Sequence, residues 1–433
     1  MTKRAMGNPD FIRETLDDLR AKGLYRRLVA LGSAAGPHVE IGGRTVLQFA
    51  SNNYLGLAND PRVKEAARAA LERWGWGAGA SRLVAGHTEA HARLEADLAA
   101  FKHTEAALVF PTGYMTNLGV VTALVGRGDT VIMDRANHAS LYDAVRLAGA
   151  ALVRYPQADA DAAGQLIEKH RGAAGRRLLV TDTVFSMDGR CAPLAELAEL
   201  CRRENCMLLL DEAHATGVLG PTGAGLAEAL EKRGHSTFSC APADGDEACA
   251  PSEKVECPLF VAAGSVTASV GTLSKALGGI GGFVTASRDV CDLVVNRGRP
   301  FIYTTALPAA ACEAARTALR IVRTEPGGRR RLLDLSKRLR TRLLEEGFDI
   351  GAEKPGASVS TPIVPIILGG PERALAFAGA LLEGGIFCPA IRPPTVPPGT
   401  SRLRISLTVE HTEGDMERLV RALVELRDAE PQG

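Results

Sequence analysis

Apolar residues along this chain follow two alternating spacings, and these predict strands that alternate with helices. Runs of four or five apolar residues, such as those at 106–110 and 207–210, are typical of strands buried inside a sheet. Segments between them, such as 194–204, carry apolar residues three and four positions apart, which is typical of helices packed on a sheet. The repeated order of strand and helix predicts an α/β fold whose large sheet is mainly parallel, with right-handed crossovers.

The two ends of the chain follow other patterns. Residues 9–22 predict an amphipathic helix, and residues 38–50 predict a hairpin that turns at Gly42 and Gly43. Residues 301–303 read as a short aromatic strand, and 309–323 as an Ala-rich helix that could link two domains. The pattern after that helix predicts a second, smaller α/β domain. We therefore expect an N-terminal segment at 1–55, a large domain at 56–308 and a C-terminal small domain at 309–433.

One stretch of the predicted large domain interrupts the strand and helix rhythm. Residues 233–262 form an irregular insertion that contains Cys240, Cys249 and Cys257, with His235 near its start. Structural zinc sites usually use closely paired ligands, so this wide spacing does not favour a metal site. A surface loop is the prediction for this insertion.

Composition narrows the class of protein. The chain has 433 residues, of which 46% are hydrophobic and 23% charged, and its net charge is +1. This balance is typical of a soluble globular protein and gives no reason to expect a nucleic-acid or membrane partner. The N-terminus lacks the apolar region of a signal peptide, and the nine scattered cysteines form no C-x-x-C pair. A reduced, cytoplasmic protein is the expectation.

Two stretches carry candidate chemistry. In GTLSKALGG, Lys275 lies among small and hydroxyl residues, where it could form a Schiff base with an aldehyde cofactor or could lie in a Gly-rich surface loop. In MLLLDEAHATG, an apolar run ends in Asp211, with His214 three residues later. A buried parallel strand would place this carboxylate at the sheet edge where α/β proteins bind ligands. An Asp there can keep the pyridinium nitrogen of pyridoxal phosphate (PLP) protonated.

Two further positions follow predicted strands. The turn at Thr112, Gly113 and Tyr114 would place backbone N–H groups at a helix N-terminus. Such a turn can bind an anion, or it can be a strand–turn–helix connection without a ligand, which is common in α/β folds. Asn137 and His138 lie in a loop before a helix, where a histidine is more often a capping residue than a catalytic one. The position of His138 after a strand end favours a functional role.

Together, separated motifs resemble the α-oxoamine synthase family of fold-type I PLP enzymes. They cover nearly the whole chain and are listed here in order: SNNYLGL, FPTGYMTN, NHASL, VFSMDG, DEAHATGVLG, GTLSKALGG, YTTALP and AIRPPTVPPGTSRLRIS. The resemblance implies a large PLP-binding domain, a smaller C-terminal domain and a homodimer with shared active sites. The chain departs from the family pattern between His214 and Thr272, where the Cys-bearing insertion makes this segment longer.

The resemblance also implies roles for individual residues. Lys275 would hold PLP covalently, Asp211 would pair with the ring nitrogen, and His138 would stack on the ring and touch substrate. His214 and Ser186 would bind the ring oxygen side. The residues expected around the cofactor and its phosphate are Gly113, Tyr114, Thr272 and, across a dimer interface, Thr304 and Thr305.

Substrate residues come from the same resemblance. Arg404 would bind the amino-acid carboxylate, and Arg392 and Thr395 would line the substrate channel. Asn52 lies in the polar loop SNNYLGL, where an asparagine suits the loop backbone or contacts a ligand, and it is expected to contact substrate. Either Arg26 or Arg27 would reach the acyl group, and Arg26 is favoured.

The segment AIRPPTVP is most similar to the branch that condenses L-alanine with a pimeloyl thioester in biotin biosynthesis. A glycine acyltransferase that makes 2-amino-3-oxobutyrate, or another amino-acid and thioester pairing, is the alternative within the family. A non-catalytic partner subunit is an alternative outside it, which the joint presence of Lys275, Asp211, His138 and His214 disfavours.

Overall fold

The computed structural model describes residues 8–172, 174–231, 266–351 and 360–430. The chain divides into two compact units. Unit 1 comprises Met1–Asn59, Met187–Gly189 and Arg330–Gly433, and unit 2 comprises Asp60–Ser186 and Arg190–Arg329. The predicted insertion at 233–262 lies outside the described residues.

Helices and strands alternate through most of the described chain. The helices are α1 (Asn8–Ala21), α2 (Pro61–Trp74), α3 (Glu89–Phe101), α4 (Gly113–Leu124), α5 (Ala139–Ala148), α6 (Ala160–Lys169), α7 (Leu194–Arg203), α8 (Leu226–Glu231), α9 (Arg288–Arg297), α10 (Arg299–Ile302), α11 (Ala309–Thr324), α12 (Pro326–Glu345), α13 (Pro371–Glu383) and α14 (Glu413–Asp428). The strands are β1 (His38–Ile41), β2 (Arg44–Gln48), β3 (Ala106–Phe110), β4 (Thr130–Asp134), β5 (Ala151–Tyr155), β6 (Arg177–Asp182), β7 (Met207–Asp211), β8 (Ala268–Thr272), β9 (Gly282–Ala286), β10 (Ile363–Gly369), β11 (Ile386–Phe387), β12 (Ala390–Ile391) and β13 (Ser401–Ser406). Among the described helices, none has the length and apolar character needed to cross a bilayer.

Unit 2 is built on a seven-stranded sheet in the order β3-β9-β8-β7-β6-β4-β5. The pairs from β8 through β7, β6 and β4 to β5 are parallel, which confirms the mainly parallel sheet. Strand β9 is antiparallel to both of its neighbours, β3 and β8. Strands β3, β4, β8 and β9 are buried along their whole length, because helices cover the sheet and the apolar runs need not alternate.

Register within this sheet brings carboxylates together. Asp182 at the end of β6 is the Cα partner of Asp211 at the end of β7. Paired residues on neighbouring strands direct their side chains to the same face of a sheet. The strand ends therefore place two acidic side chains side by side at the carboxyl edge.

Side-chain caps determine where several helices of unit 2 begin. The carboxylate of Asp60 accepts a hydrogen bond from the Arg62 N–H, and Pro61 occupies the first turn of α2. The hydroxyl of Thr112 accepts from the Met115 N–H and starts α4 directly after β3. The short connection between β3 and α4 brings the N-terminus of α4 to the same carboxyl edge of the sheet.

Unit 1 contains two three-stranded sheets, in the orders β1-β2-β11 and β10-β13-β12. Strands β1 and β2 are the predicted hairpin, and Gly42 and Gly43 have φ values of 57° and 73° at its turn. Two consecutive positive φ angles are typical of a hairpin turn that matches the twist of its strands, and glycine adopts them without strain.

Two parts of the chain differ from the sequence expectations. Residues 301–303, expected as a strand, lie in and just after the helical turn α10, where Pro300 at the helix start sets a helical backbone angle. The units divide at 59/60 and 329/330 instead of 55/56 and 308/309, so the Ala-rich helix α11 belongs to unit 2. The N-terminal segment groups with the C-terminal residues in unit 1 rather than standing alone.

Candidate active site

A cavity of about 240 Å³ lies in unit 2 at the carboxyl ends of the parallel strands. Its lining combines an amine, two carboxylates, two imidazoles and several hydroxyls. The lining residues are Thr112, Gly113, Tyr114, Asn117, His138, Ser140, Asp182, Asp211, Ala213, His214, Val270, Gly271, Thr272, Ser274 and Lys275. These residues come from five separate segments of the chain, which the fold alone brings together.

An amine and an imidazole meet at one side of this cavity. The Nζ atom of Lys275 lies 2.8 Å from Nε2 of His214. Lys275 follows β8 and His214 follows β7, and these strands are parallel neighbours in the sheet. Lys275 is half-buried, so a small molecule in the cavity can reach its amine.

A chain of hydrogen bonds orients Asp211. Its Oδ1 atom accepts from the Ala213 N–H at 2.9 Å, and its Oδ2 atom accepts from Nδ2 of Asn117 at 2.7 Å. The same Nδ2 atom donates to the hydroxyl of Ser140 at 2.9 Å, and that hydroxyl lies 2.7 Å from Nδ1 of His138. The chain links the carboxylate to the imidazole through two buried polar side chains.

His138 caps helix α5, because its Nδ1 atom accepts from the Ser140 N–H. Its side chain remains partly open to solvent. Partial burial of the ring lowers the pKa of His138, while the Asp211 carboxylate acts in the opposite direction. A neutral ring that is held at the cavity rim can pack against a planar ligand.

Asp182 is a second carboxyl group in the cavity. It is 3% exposed and accepts the His138 N–H at 3.3 Å. Burial raises the pKa of Asp182 well above its ordinary value, and the neighbouring Asp211 charge raises it further. Asp211 has two closer donors, so the negative charge of the pair belongs on Asp211 and the proton on Asp182.

The N-terminus of α4 and two hydroxyl groups in the cavity lining suit an anion. The N-terminus of α4 leaves the first backbone N–H groups, including those of Gly113 and Tyr114, without intrahelical acceptors. The hydroxyls of Thr272 and Ser274 lie 2.8 Å apart beside it. A Cβ atom on Gly282 would lie 2.5 Å from Cα of Gly113, so only glycine lets this helix approach the sheet.

These donors and acceptors fit PLP. An anionic carboxylate held by two donors suits a protonated ring nitrogen, an accessible amine suits an aldehyde, and the helix N-terminus with two hydroxyls suits a phosphate. Oδ1 of Asn117 is buried without a hydrogen-bond partner among the described residues, which is the behaviour of a polar atom that faces a ligand.

Three residues expected at the cofactor do not line this cavity. Ser186 is buried after the end of β6. Thr304 is half-buried, and the exposed Thr305 forms an isolated backbone bridge with Ser81. Their assigned roles stay predictions.

Apart from His138, which lines the cavity in unit 2, the residues expected to bind substrate lie in unit 1. Nη2 of Arg404 donates to Oδ1 of Asn52 at 3.1 Å, so the expected carboxylate ligand and an expected substrate contact are brought together. Burial, and then the nearby charge of Arg26, lower the pKa of Arg392, so these two arginines are also close. Arg27 instead points toward the Tyr25 ring, with 5.9 Å between its Cζ atom and the ring centroid. Thr395 is exposed.

Three residues with polar side chains in the cavity, Asn117, Ser140 and Asp182, were not assigned a role from the sequence. Asn117 and Ser140 belong to the quoted motifs FPTGYMTN and NHASL, but their contacts with Asp211 and His138 depend on tertiary structure. The sequence did contain a signal for Asp182, because this residue ends a mostly apolar segment as Asp211 does. Within the described residues, no cluster of His, Cys, Asp and Glu has the arrangement of a metal site.

Comparison with known proteins places the chain in a family. The model of aminotransferase class I and II matches residues 44–423. Proteins named 8-amino-7-oxononanoate synthase are similar over nearly their whole length. The one from Anaeromyxobacter sp. (strain K) is 47% identical and covers 99% of both chains. The one from Geobacter sulfurreducens is 46% identical and covers 95% of this chain and 96% of its own.

Solved structures agree on the fold. Serine palmitoyltransferase from Sphingomonas wittichii is 29% identical, covers 99% of both chains and superposes with a TM-score of 0.83. Serine palmitoyltransferase from S. paucimobilis, solved as a lysine-to-alanine variant with bound PLP and myriocin, is 30% identical with the same TM-score and coverage. The Francisella tularensis 8-amino-7-oxononanoate synthase, at 24% identity and a TM-score of 0.69, covers 88% of this chain and 98% of its own and shares the fold. The chain belongs to the aminotransferase class I and II family, with a fold-type I architecture, and within it groups with proteins named 8-amino-7-oxononanoate synthase.

Proposed function

We propose that this protein is a PLP-dependent acyltransferase of biotin biosynthesis. It condenses L-alanine with a pimeloyl thioester and releases 8-amino-7-oxononanoate, carbon dioxide and the free thiol. The observation that carries this proposal is the cavity that joins Lys275, His214 and an oriented Asp211. The name shared by relatives at 46–47% identity supports the choice of substrates.

Bound PLP supplies an aldehyde that condenses with amines and a ring that takes up electron density from the substrate α-carbon. Lys275 would hold the aldehyde, and Asp211 would face the ring nitrogen as an anion. Gly113, Tyr114 and Thr272 would hold the phosphate, with Ser186 and His214 on the ring oxygen side. The neutral ring of His138 would pack on the cofactor face.

In the proposed reaction, the Lys275 amine transfers the proton to and from the substrate α-carbon. Once the substrate amine has taken its place, the freed Lys275 amine is a base that removes the α-proton of alanine. His214 lies 2.8 Å away and holds this amine in position between the steps. After the thiol and carbon dioxide have left, the protonated lysine returns a proton to the same carbon.

Recognition of the two substrates is assigned to unit 1. Arg404 and Asn52 would bind the alanine carboxylate, because a guanidinium next to an amide donor suits a carboxylate. Arg26 and Arg392, two neighbouring cations, would bind the acyl substrate, and Thr395 would line its channel. Arg26 is preferred to Arg27, since Arg27 is directed toward Tyr25.

The proposed enzyme is a cytoplasmic homodimer with shared active sites. Thr304 and Thr305 would reach the phosphate that is bound by the partner subunit. The exposure of Thr305 and its backbone pairing with Ser81 support this role, because the pairing holds the threonine at the surface.

The test is thiol release by the PLP-loaded protein over a grid of substrates. Alanine, glycine and serine are each combined with acetyl-CoA, pimeloyl-CoA and a long-chain acyl-CoA. Release confined to alanine with pimeloyl-CoA is expected. Release with glycine and acetyl-CoA would instead assign the chain to 2-amino-3-oxobutyrate synthesis.

The same grid repeated with a pimeloyl carrier-protein thioester separates the two thioester carriers. Release from that thioester alone would keep the reaction and change the carrier. Failure with every acyl donor, in protein that binds PLP, would overturn the proposal in favour of a non-catalytic subunit.

A further inference from the structure

Tyr54 lies in the SNNYLGL segment of unit 1 and is buried, with 0% of its surface exposed. Its hydroxyl lies 3.1 Å from Oδ1 of Asn52. Nη2 of Arg404 lies 3.1 Å from the same oxygen. A single amide oxygen therefore lies between a tyrosine hydroxyl and an arginine.

The chemistry of these groups determines every donor in the cluster. A guanidinium can only donate hydrogen bonds, so the Asn52 atom that faces Arg404 must be the carbonyl oxygen. That oxygen can only accept, so the Tyr54 hydroxyl must donate its proton to it. The amide orientation of Asn52 thus follows from its partners and not from a choice between two similar atoms.

The orientation leaves the amide nitrogen on the other side of the Asn52 side chain. No described residue accepts a hydrogen bond from this Nδ2 atom, and Asn52 is half-buried. Arg404 is held from another direction, since its Nη1 atom donates to the buried Ser406 hydroxyl at 2.6 Å. The cluster therefore combines a restrained cation with an amide whose N–H donors have no acceptor among the described residues.

We propose that Tyr54 is a positioning residue for carboxylate binding: its hydroxyl locks the Asn52 amide with Nδ2 as an outward donor and restrains Arg404 beside it. The inference rests on the proposed function, in which Asn52 and Arg404 bind the amino-acid carboxylate. Burial raises the pKa of Tyr54 while the Arg404 charge opposes the rise, which agrees with a neutral hydroxyl that donates.

The experiment compares two ligands of the holoenzyme in the absence of thioester. L-alanine carries the carboxylate, and L-alaninamide replaces it with a neutral amide of similar size. The dissociation constant of each is measured from the absorbance change of the bound cofactor. Wild-type protein is expected to prefer alanine, and Tyr54→Phe to reduce that preference about 5- to 20-fold with little change for alaninamide, since a hydrogen bond to a charged group is weakened.

A second variant tests the orientation directly. Asn52→Asp keeps an acceptor for Tyr54 and Arg404 but replaces the outward N–H₂ with an anionic oxygen. The preference for alanine is expected to fall at least about tenfold, because the new charge repels a carboxylate. An unchanged preference in this variant would overturn the inference even if Tyr54→Phe failed to fold.

A matched control removes another buried tyrosine hydroxyl. Tyr155 on β5 in unit 2 is also 0% exposed, and Tyr155→Phe is expected to leave both dissociation constants unchanged. A wild-type protein that does not prefer alanine would refute the proposed carboxylate site itself. A wild-type preference that persists in Tyr54→Phe would refute only the role of Tyr54.

Discussion

Lys275 and His214 lie 61 positions apart in the chain, yet their Nζ and Nε2 atoms are separated by 2.8 Å. The pairing arises because β7 and β8 are parallel neighbours and each residue follows the end of its strand. A lysine amine beside an imidazole at the mouth of a cavity is arranged for reversible covalent chemistry and for proton transfer.

Replacement of this lysine tests the covalent step. In Lys275→Ala we expect thiol release to fall at least about 10³-fold, because both the anchoring amine and the base are lost. Borohydride reduction followed by mass spectrometry should add the mass of the cofactor to wild-type protein and not to the variant. The control is Lys169→Ala at an exposed helix end, which should keep both properties. Acyl transfer at the wild-type rate in Lys275→Ala would rule out the lysine mechanism.

Asn117 orients the Asp211 carboxylate, and its removal should weaken cofactor binding. Asn117→Leu deletes the 2.7 Å hydrogen bond to Asp211 and the 2.9 Å bond to Ser140. We expect the dissociation constant for PLP to rise about 10- to 100-fold, as for the loss of a buried hydrogen bond to a charged group. A PLP titration checks this, with Thr122→Val on the same helix as the control. Equal affinities would show that Asp211 does not depend on this donor.

Asp182 should make the protein less stable as the pH rises. Burial and the Asp211 charge raise its pKa in the folded state, so between pH of about 4 and that raised value the folded state binds the proton that the unfolded chain has lost. The free energy of unfolding therefore loses this contribution on going from pH 4 toward neutral pH. Asp182→Asn keeps the acceptor for the His138 N–H and should gain stability relative to wild type over the same range, as measured by urea unfolding without added cofactor.

Asp129 is the control for Asp182, because its pKa in the folded state is shifted in the opposite direction. Burial acts to raise the pKa of Asp129, but hydrogen bonds from Arg176 and the Gly126 N–H outweigh it and hold the pKa low. Asp129→Asn should therefore cost most stability at neutral pH and less as the pH falls through the low pKa of Asp129. Parallel pH profiles for the two Asn variants would contradict the assignment of the proton to Asp182.

His91 should make the folded state sensitive to acid. It is 0% exposed, and burial followed by the charge of Arg82 lowers its pKa to about 4. Between pH of about 6.5 and 4 the unfolded chain binds a proton that the folded protein does not, so stability falls as the pH falls. The full loss is about 3 kcal/mol. His91→Gln should lack this portion of the acid sensitivity, and urea unfolding at pH 7 and pH 4.5 measures the difference.

Replacing only one partner of a buried ion pair should cost more stability than replacing both. Lys102 and Glu212 are 2.5 Å apart with side chains 3% and 1% exposed. Lys102→Met is expected to reduce the free energy of unfolding by about 3–5 kcal/mol, because it leaves a buried carboxylate without its cation. The double variant Lys102→Met, Glu212→Gln should recover part of this loss.

The exposed pair of Lys22 and Asp18 is the matched comparison. Its side chains are 60% and 55% exposed, and Lys22→Met should cost less than about 1 kcal/mol. Equal losses at the two pairs in denaturant unfolding would show that burial does not decide the cost.

Much of the fold follows from local pattern. The spacing of apolar residues predicted a strand at 106–110 and a helix at 194–204, and the structure has β3 at Ala106–Phe110 and α7 at Leu194–Arg203. Such elements are predictable because the spacing of apolar residues within a short segment indicates which face is buried. The helical turn α10 was expected as a strand, since three aromatic and apolar residues carry no helical period of their own.

The candidate site was only partly visible from the sequence. Asp211 stands out because it ends an apolar run, His214 because it follows three residues later, and Lys275 because a lysine lies among small and hydroxyl residues. Asn117 did not stand out in this way, and its role became apparent from its hydrogen bond to Asp211, 94 positions away. Asp182 ends a mostly apolar strand, but only the structure shows that it is paired with Asp211. Strand register, which pairs Asp182 with Asp211, depends on how two distant segments align.

The sequence by itself determined the class of fold, the family resemblance and the residue types that the chemistry needs, because periodicity and motifs are properties of short segments. Only the tertiary structure decided which atoms meet: Lys275 with His214, Asn117 with Asp211, and Arg404 with Asn52. The physical reason is that hydrogen bonds act over about 3 Å, so they depend on the packing of whole strands and helices that local pattern does not specify.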